Sequence, residues 1–381
     1  MTTVGSSTPK IVLTGGGTGG HVYPALAVAA AIEQLAPGSE LLYIGGDRIE
    51  ARAVPEAGVP FRSISVHGLA GGAPMGRRLR SLVELAIGLP LIQSLRILRA
   101  FRPDVVVGTG GYVSGPVLLA ARMMGLPSAA LDGNRVPGQT SKIVSRLVDV
   151  MAVAHPEMAE FFAARVRKGA RVEVTGLPVR REVAALSRVE GAGALGLDPA
   201  RLTLVILGGS LGSRRVNEAA GGALDELAKL EGLAGLQVVH VTGERYAATA
   251  ERDRWPSLDY RLLAYAGPEA LAAADVVVSR AGASTVAEIA ARGLAAVLVP
   301  WAAASTGEQA MNAEPLGRAG GAVVIGDGEL TAGRLAEVLV EILTDGARLK
   351  RMAEASKGLG RPEAAERVAE IALELAAKGR G

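Results

Sequence analysis

Ile11-Val12-Leu13-Thr14-Gly15-Gly16-Gly17-Thr18-Gly19-Gly20-His21 is the stretch on which the fold turns. A short apolar run stops in a glycine cluster, and Pro24 then opens a helical pattern through residue 34, proline being suited to a first helical turn. An apolar run without alternation reads as a strand buried on both faces, the kind found in parallel sheets. Glycines after such a strand let the backbone approach a charged group closely, and the helix start that follows favours an anion.

Working outward, the same cycle recurs. Residues 40–44, 61–66, 104–107, 128–131 and 148–153 read as further strands, with helical patterns between most of them. A composition shift at Thr175-Gly176-Leu177-Pro178 begins a stretch to Pro199 with no strong strand signal, which we read as the connection between domains. The cycle restarts at residues 202–207, followed by Gly208-Gly209-Ser210-Leu211-Gly212-Ser213 and a helix over 217–230. Residues 236–241, 260–265, 275–278, 295–299 and 321–325 complete the strand set. The expected fold class is therefore α/β, two Rossmann-like doubly wound parallel-sheet domains facing across a ligand cleft at the carboxyl ends of their strands. The expected division is 1–176 and 177–361, with an amphipathic terminal helix over 362–378. A length of 381 residues and a hydrophobic fraction of 49% supply two cores.

Composition removes several classes. There is no cysteine, so neither a disulfide framework nor a thiolate metal site exists. The four histidines are scattered, no Asp-x-Asp pair occurs, and no Gly-Lys pair is present to form a Walker loop. Gly15-x-Gly17-x-x-Gly20 has dinucleotide spacing, but Ile44-Gly45-Gly46 stands where an acidic ribose ligand would end the second strand, against a nicotinamide or flavin cofactor. No secretory leader and no uncharged apolar run of about 18 residues is visible, so the expected location is cytoplasmic. A net charge of +3 gives no case for nucleic acid. Residues 77–103, however, hold six arginines against the single acid Glu84, interleaved with leucine and isoleucine, and Pro90 is expected to break this stretch into two helices. It reads either as a surface for an anionic bilayer or as a core helix with a solvated arginine edge.

Five segments carry candidate chemistry. His21 ends the first glycine loop and is either a proton acceptor or a packing residue. Gly108-Thr109-Gly110-Gly111-Tyr112-Val113-Ser114-Gly115-Pro116 is a second strand-to-helix glycine loop, so that a pyrophosphate held by main-chain N–H groups competes with a plain turn. The loop from Gly208 to Arg215 joins amides and two arginines, suited to a diphosphate or to a solvated turn. Ser279-Arg280-Ala281-Gly282-Ala283-Ser284-Thr285-Val286-Ala287-Glu288 sets small and hydroxyl residues at a helix start, with Glu288 one turn in, where it can take both hydroxyls of a ribose or remain a solvated charge. Glu308 and Gln309 open a later helix and are able to read sugar hydroxyls or to cap it.

Taken together, Gly16-Gly17-Thr18-Gly19-Gly20-His21-Val22-Tyr23-Pro24, residues 110–116, Gly208-Gly209-Ser210-x-Gly212, and Gly282-Ala283-x-Thr285-x-x-Glu288-Ile289, with Pro178-Val179-Arg180 at the junction, resemble the signature loops of the MurG family of peptidoglycan N-acetylglucosaminyltransferases. The resemblance runs in order through nearly the whole chain. It implies a GT-B fold and inverting transfer of GlcNAc from UDP-GlcNAc to the C4 hydroxyl of MurNAc in undecaprenyl-pyrophosphoryl-MurNAc-pentapeptide, with no metal or other cofactor. It implies His21 as the base. Thr18, Gly19, Gly20, Gly110, Gly111, Tyr112, Ser114 and Asn134 would serve the acceptor diphosphate. Arg180, Gly209, Ser210, Gly212, Ala283, Ser284, Thr285, Glu288, Glu308 and Gln309 would serve the donor. Residues 77–103 would meet the inner face of the cell membrane, and the terminal helix would cross back onto the first domain. The chain departs from the family pattern at Leu131-Asp132-Gly133-Asn134, where His-Glu-Gln-Asn is usual, at Leu211, and at Ser305-Thr306-Gly307-Glu308. A related transferase with another sugar or acceptor, a UDP-GlcNAc 2-epimerase-like isomerase, and a non-catalytic diphosphate binder are the other readings.

Overall fold

The computed structural model describes residues 8–66, 88–208, 212–243, 245–246, 254–302 and 307–379. The chain divides into two compact units, Met1–Arg180 with Glu363–Gly381, and Arg181–Pro362.

The first unit runs β1 (Lys10–Thr14), α1 (Gly19–Leu35), β2 (Glu40–Gly45), α2 (Glu50–Glu56), β3 (Phe61–Ser63), α3 (Leu89–Phe101), β4 (Val105–Gly108), α4 (Ser114–Met123), β5 (Ser128–Asp132), α5 (Gln139–Val144), β6 (Val150–Val153), α6 (Pro156–Ala163) and β7 (Arg171–Val174). Its seven strands lie in the order β3-β2-β1-β4-β5-β6-β7 and every pairing is parallel. Ile11, Val12 and Leu13 on β1 and Val105, Val106 and Val107 on β4 are fully buried, because helices cover both faces. All β–α turns consequently gather at one edge of the sheet.

The second unit runs α7 (Arg181–Ala185), α8 (Arg188–Leu195), β8 (Thr203–Leu207), α9 (Arg214–Leu227), β9 (Gln237–Val241), β10 (Asp259–Leu263), α10 (Pro268–Ala273), β11 (Val276–Ser279), α11 (Ala283–Arg292), β12 (Ala295–Leu298), α12 (Glu308–Arg318), β13 (Ala322–Val324), α13 (Ala332–Leu343) and α14 (Gly346–Leu359). Its six parallel strands take the order β10-β9-β8-β11-β12-β13. The chain then re-enters the first unit as α15 (Ala364–Gly379), which lies along α1. Val368, Ile371 and Leu375 on α15 are buried, each contributing about 1.5–3 kcal/mol of apolar burial. An ion-pair group of Arg367 with Glu173, Glu370 and Glu374, and of Arg171 with Glu173 and Glu374, ties the helix to β7.

Two local expectations are corrected, at Pro24 and at β7. The helix after β1 begins at Gly19, so Pro24 sits inside it rather than at its start. The proline costs only the bond to Gly20 in the first turn, and the segment can wind early despite its glycines. Pro90, expected to separate two helices, stands at the opening of α3, its missing N–H being unneeded at that position. The stretch before it, residues 67–87, lies outside the described residues. β7 was not expected at all: Arg171 and Glu173 on this edge strand obscure the apolar signal, and the residues are only partly covered.

Buried polar groups in the second unit fix the entry to α9. The Tyr260 hydroxyl and His240 Nδ1 are 2.9 Å apart, and His240 Nε2 and Asn217 Oδ1 are 3.2 Å apart. The amide oxygen can only accept, so Nε2–H donates to it and Nδ1 accepts from Tyr260. Asn217 Nδ2 in turn donates to the Thr242 carbonyl at 3.1 Å. Burial holds the His240 imidazole down to about 4. The unfolded chain therefore binds a proton that the folded chain refuses. Stability is at its full value above pH ~6.5, the unfolded value, and falls as the pH drops toward the folded value of about 4. The expected loss is about 3 kcal/mol across that interval. Denaturant titrations at several pH values should show this slope in the wild type and a flatter one in His240→Gln.

Candidate active site

In the first unit the β1–α1 and β4–α4 loops are pressed together on adjacent strands. Thr109 Oγ1 donates to the carbonyl of His21 at 2.7 Å, and the Thr109 amide donates to the Thr14 carbonyl at 2.8 Å. The approach leaves no room for side chains. A Cβ on Gly111 (φ +78°) would stand 2.2 Å from the Gly16 carbonyl oxygen, and one on Gly110 (φ +102°) would stand 2.7 Å from His21 Nδ1. Gly17 lies against the Tyr112 ring. Thr18 precedes the first turn of α1 without a side-chain cap, and Thr18 and Gly20 are exposed beside the half-buried Gly19. Ser114 opens α4 and donates to the Gly111 carbonyl at 2.9 Å.

His21 lies in the first turn of α1, with Nδ1 3.1 Å from the Thr109 carbonyl oxygen. A carbonyl only accepts, so Nδ1 carries the proton of the neutral ring and Nε2 carries its lone pair. On the next strand, Asp132 is 3% exposed at the end of β5. Burial pushes its carboxyl above the usual range, while the Ser141 hydroxyl, the Asn134 amide and the nearby His21 act in the opposite direction. The Asn134 amide donates to Asp132 Oδ1 at 2.9 Å, which places Asn134 beside this carboxylate.

Glu50 is a residue that sequence reasoning passed over. It is completely buried, and its carboxylate accepts from Gly17 N and from Gly46 N, both at 3.1 Å. The Tyr43 hydroxyl supports the same loop by donating to the Gly15 carbonyl at 3.1 Å, and burial together with Glu50 pushes that phenol well above its ordinary range. The one signal for Glu50 was its position five residues beyond β2, just after Gly45-Gly46.

The second unit repeats the device. A Cβ on Gly212 (φ +76°) would stand 2.3 Å from the Thr242 carbonyl. Gly209 and Ser210 lie outside the described residues. Ala283, Ser284 and Thr285 form the first turn of α11, whose preceding Gly282 offers no side-chain cap, and Ser284 Oγ is buried without a hydrogen-bond partner. Glu288 follows on the same helix, half-buried. Glu308 opens α12, and Gln309 Oε1 accepts from the Trp301 amide at 3.0 Å. The buried Asn312 donates to the Ala281 carbonyl at 3.4 Å, joining α12 to the α11 loop. Arg180 is the last residue of the first unit's main segment, where its guanidinium lies 4.8 Å over the Tyr23 ring. Among the described residues, no three His, Asp or Glu side chains are arranged to hold a metal ion.

Two parallel-sheet units, each presenting glycine bends and uncapped helix starts at the carboxyl edge of its strands, define the GT-B class of glycosyltransferase. Residues 11–153 match the N-terminal domain of glycosyltransferase family 28, and residues 203–368 match its C-terminal domain. The chain is 42% identical to the UDP-N-acetylglucosamine–N-acetylmuramyl-(pentapeptide) pyrophosphoryl-undecaprenol N-acetylglucosamine transferase of Moorella thermoacetica, over 97% of this chain and all of that one. Among solved structures it resembles Acinetobacter baumannii MurG, with a TM-score of 0.70 and 27% identity over 96% of this chain and 99% of that one. A UDP-N-acetylglucosamine 2-epimerase from Listeria monocytogenes shares the fold, with a TM-score of 0.64 at 14% identity over 95% of each chain. The chain belongs to glycosyltransferase family 28, within the MurG family.

The contact between the two loops is the feature most exposed to substitution. Gly111→Ala is expected to lose about 1–3 kcal/mol of stability from its backbone conformation alone, and more from the clash. Chemical denaturation of this variant against wild type measures it.

Proposed function

We propose that this chain transfers GlcNAc from UDP-GlcNAc to the C4 hydroxyl of the lipid-linked MurNAc-pentapeptide, with inversion at the sugar's anomeric carbon. The observation carrying this is full-length similarity to transferases of that name, joined to tightly packed glycine bends in each unit. In this reading the first unit takes the acceptor. The amides around Gly19, Gly20, Gly110 and Gly111 meet its pyrophosphate, with Thr18, Tyr112, Ser114 and Asn134 at the margins. The second unit takes the donor, the diphosphate at the starts of α9 and α11, the ribose at Glu288, and the sugar at Glu308 and Gln309. Arg180 contributes to the donor from the end of the first unit. The related-transferase and epimerase readings lose ground because the curated similarity spans the whole length, whereas likeness to the epimerase extends to fold alone.

The acceptor oxygen attacks the anomeric carbon, its proton passes to His21 Nε2, and the bond from that carbon to the UDP oxygen breaks with the electron pair leaving on UDP. Asp132 stabilises the imidazolium that forms. Charge on the departing diphosphate falls on helix-start amides, which need no reorganisation as it develops. Product analysis with labelled UDP-GlcNAc and the lipid acceptor, run in EDTA, should show the disaccharide. His21→Ala should lower turnover roughly 100- to 10,000-fold while UDP affinity stays within about twofold. Equal losses in turnover and UDP binding would make His21 structural, and activity abolished by EDTA and restored by magnesium would overturn the metal-independent route.

The chain also requires access to a lipid-borne substrate, and no helix among the described residues is long and apolar enough to span a membrane. We assign peripheral contact with the inner leaflet to the face shared by the neighbouring helices α3, α4 and α5. Leu89, Ile92, Leu119, Met123 and Ile143 are exposed there, with Arg96, Arg99, Arg122 and Arg146 exposed among them. Ile92, Arg96 and Arg99 share one helical face by their spacing. Apolar tips within a basic surround suit an anionic bilayer. Sedimentation with phosphatidylglycerol vesicles should show binding that weakens with salt and drops at least about tenfold in Ile92→Glu/Met123→Glu. Retention of full vesicle binding by this variant would remove the assignment.

A further inference from the structure

We infer that Arg280 is a positioning residue for the donor half, a side chain that fixes where the diphosphate-binding helix starts stand without itself being the group that grips the diphosphate. The inference rests on the reading of the second unit as the donor half.

Arg280 follows β11 directly and is 12% exposed at its side chain. Its guanidinium reaches the exits of four neighbouring strands in the order β8-β11-β12-β13. Toward β8, Nε and Nη2 donate to Ser213 Oγ at 3.2 and 3.0 Å. Toward β12, Nη1 donates to the Val299 carbonyl at 3.3 Å. Beyond β13, Nη1 pairs with Asp327 Oδ1 at 2.6 Å, and Asp327 is 11% exposed. The remaining exit is its own, where the backbone turns through Ala281 and Gly282 into α11.

Each tie acts on a part of the proposed donor site. Ser213 caps α9, and its Oγ also accepts from Val216 N at 3.4 Å, so the guanidinium fixes the oxygen from which that helix begins. Arg215, in the same first turn, donates to the Asp327 carbonyl, so the α9 start is held to Asp327 by two routes. The β12 exit leads to Trp301, whose amide meets Gln309. The carboxylate of Asp327 offsets the charge of Arg280, and the buried guanidinium already has hydrogen bonds from all three of its nitrogens. What remains for an anion is the pair of helix starts at α9 and α11, set at a fixed spacing. A planar fork with five donors can hold three partners in different directions; a lysine ammonium at the same place cannot reproduce that geometry.

The two roles separate on conservative substitution. Arg280→Lys and Arg280→Gln, with Ser213→Ala and Asp327→Asn, are compared with wild type for UDP affinity by calorimetry, KM for UDP-GlcNAc, KM for the lipid acceptor, and Tm. Positioning by the fork predicts that Lys and Gln are equally damaging, each weakening UDP and raising the donor KM roughly 10- to 100-fold, with the acceptor KM unchanged. Ser213→Ala and Asp327→Asn shift the same two readouts in the same direction by less. Arg280→Lys at wild-type UDP affinity beside a weakened Gln variant would overturn the inference, since charge alone would then suffice. So would a loss that follows Tm and affects both substrates equally. If the Arg280 variants do not fold, the other two decide: unchanged UDP affinity in both rejects the clasp. A wild-type protein that binds no UDP would strike at the donor assignment instead.

Discussion

A parallel sheet obliges every strand to end at the same edge, and every following helix to begin there with its first amides unsatisfied. In this chain that constraint acts twice, once in each unit, and the rest of the site follows from it. An edge lined with free N–H groups attracts anions, but it binds one specifically only if the loops are held in place. Glycine gives the close approach, as at Gly16 and Gly111, and buried side chains give the rigidity. Glu50 braces the first loop from inside the unit, Thr109 stitches it to the second, and Arg280 does comparable work across the other sheet. The groups that would touch substrate are largely backbone; the side chains that position them are largely hidden.

This division explains what could be read in the sequence. The α/β class was legible because the information is local: an apolar run, a glycine cluster, a helical period, repeated in both halves. His21 was legible for the same reason, standing at the end of one such cluster. β7 was not, because an edge strand takes part of its stabilisation from ion pairs with α15, some two hundred residues away. Nor was Glu50, whose spacing from Gly45-Gly46 reads as an ordinary first-turn acid until the fold buries it. Arg280 stood inside a recognised loop, yet its partners Ser213, Val299 and Asp327 are brought together only by the strand order. Long-range pairs of this kind leave no pattern along the chain.

The two units also differ in what their chemistry demands. In the proposed reaction the first supplies a lone pair, and the Thr109 carbonyl sets it by fixing which imidazole nitrogen keeps the proton. In the same proposal the second accepts a growing negative charge, for which a network of offset charges and fixed dipoles is suited. Within Leu131-Asp132-Gly133-Asn134, Leu131 is buried in the strand, while the buried Asp132 carboxyl lies near enough to His21 to feel its charge. The likeness to an epimerase fold underlines that architecture alone does not choose the reaction; the side chains at the strand ends do.

Because α15 closes the first unit after the second has been traversed, the second unit is in effect an insertion within the first. During synthesis, the segment ending at Arg180 leaves the ribosome without the helix that covers α1, and an apolar strip remains open while some two hundred further residues are made. The half that begins the protein is thus the one finished last, and damage to the carboxyl terminus is felt at the amino-terminal core.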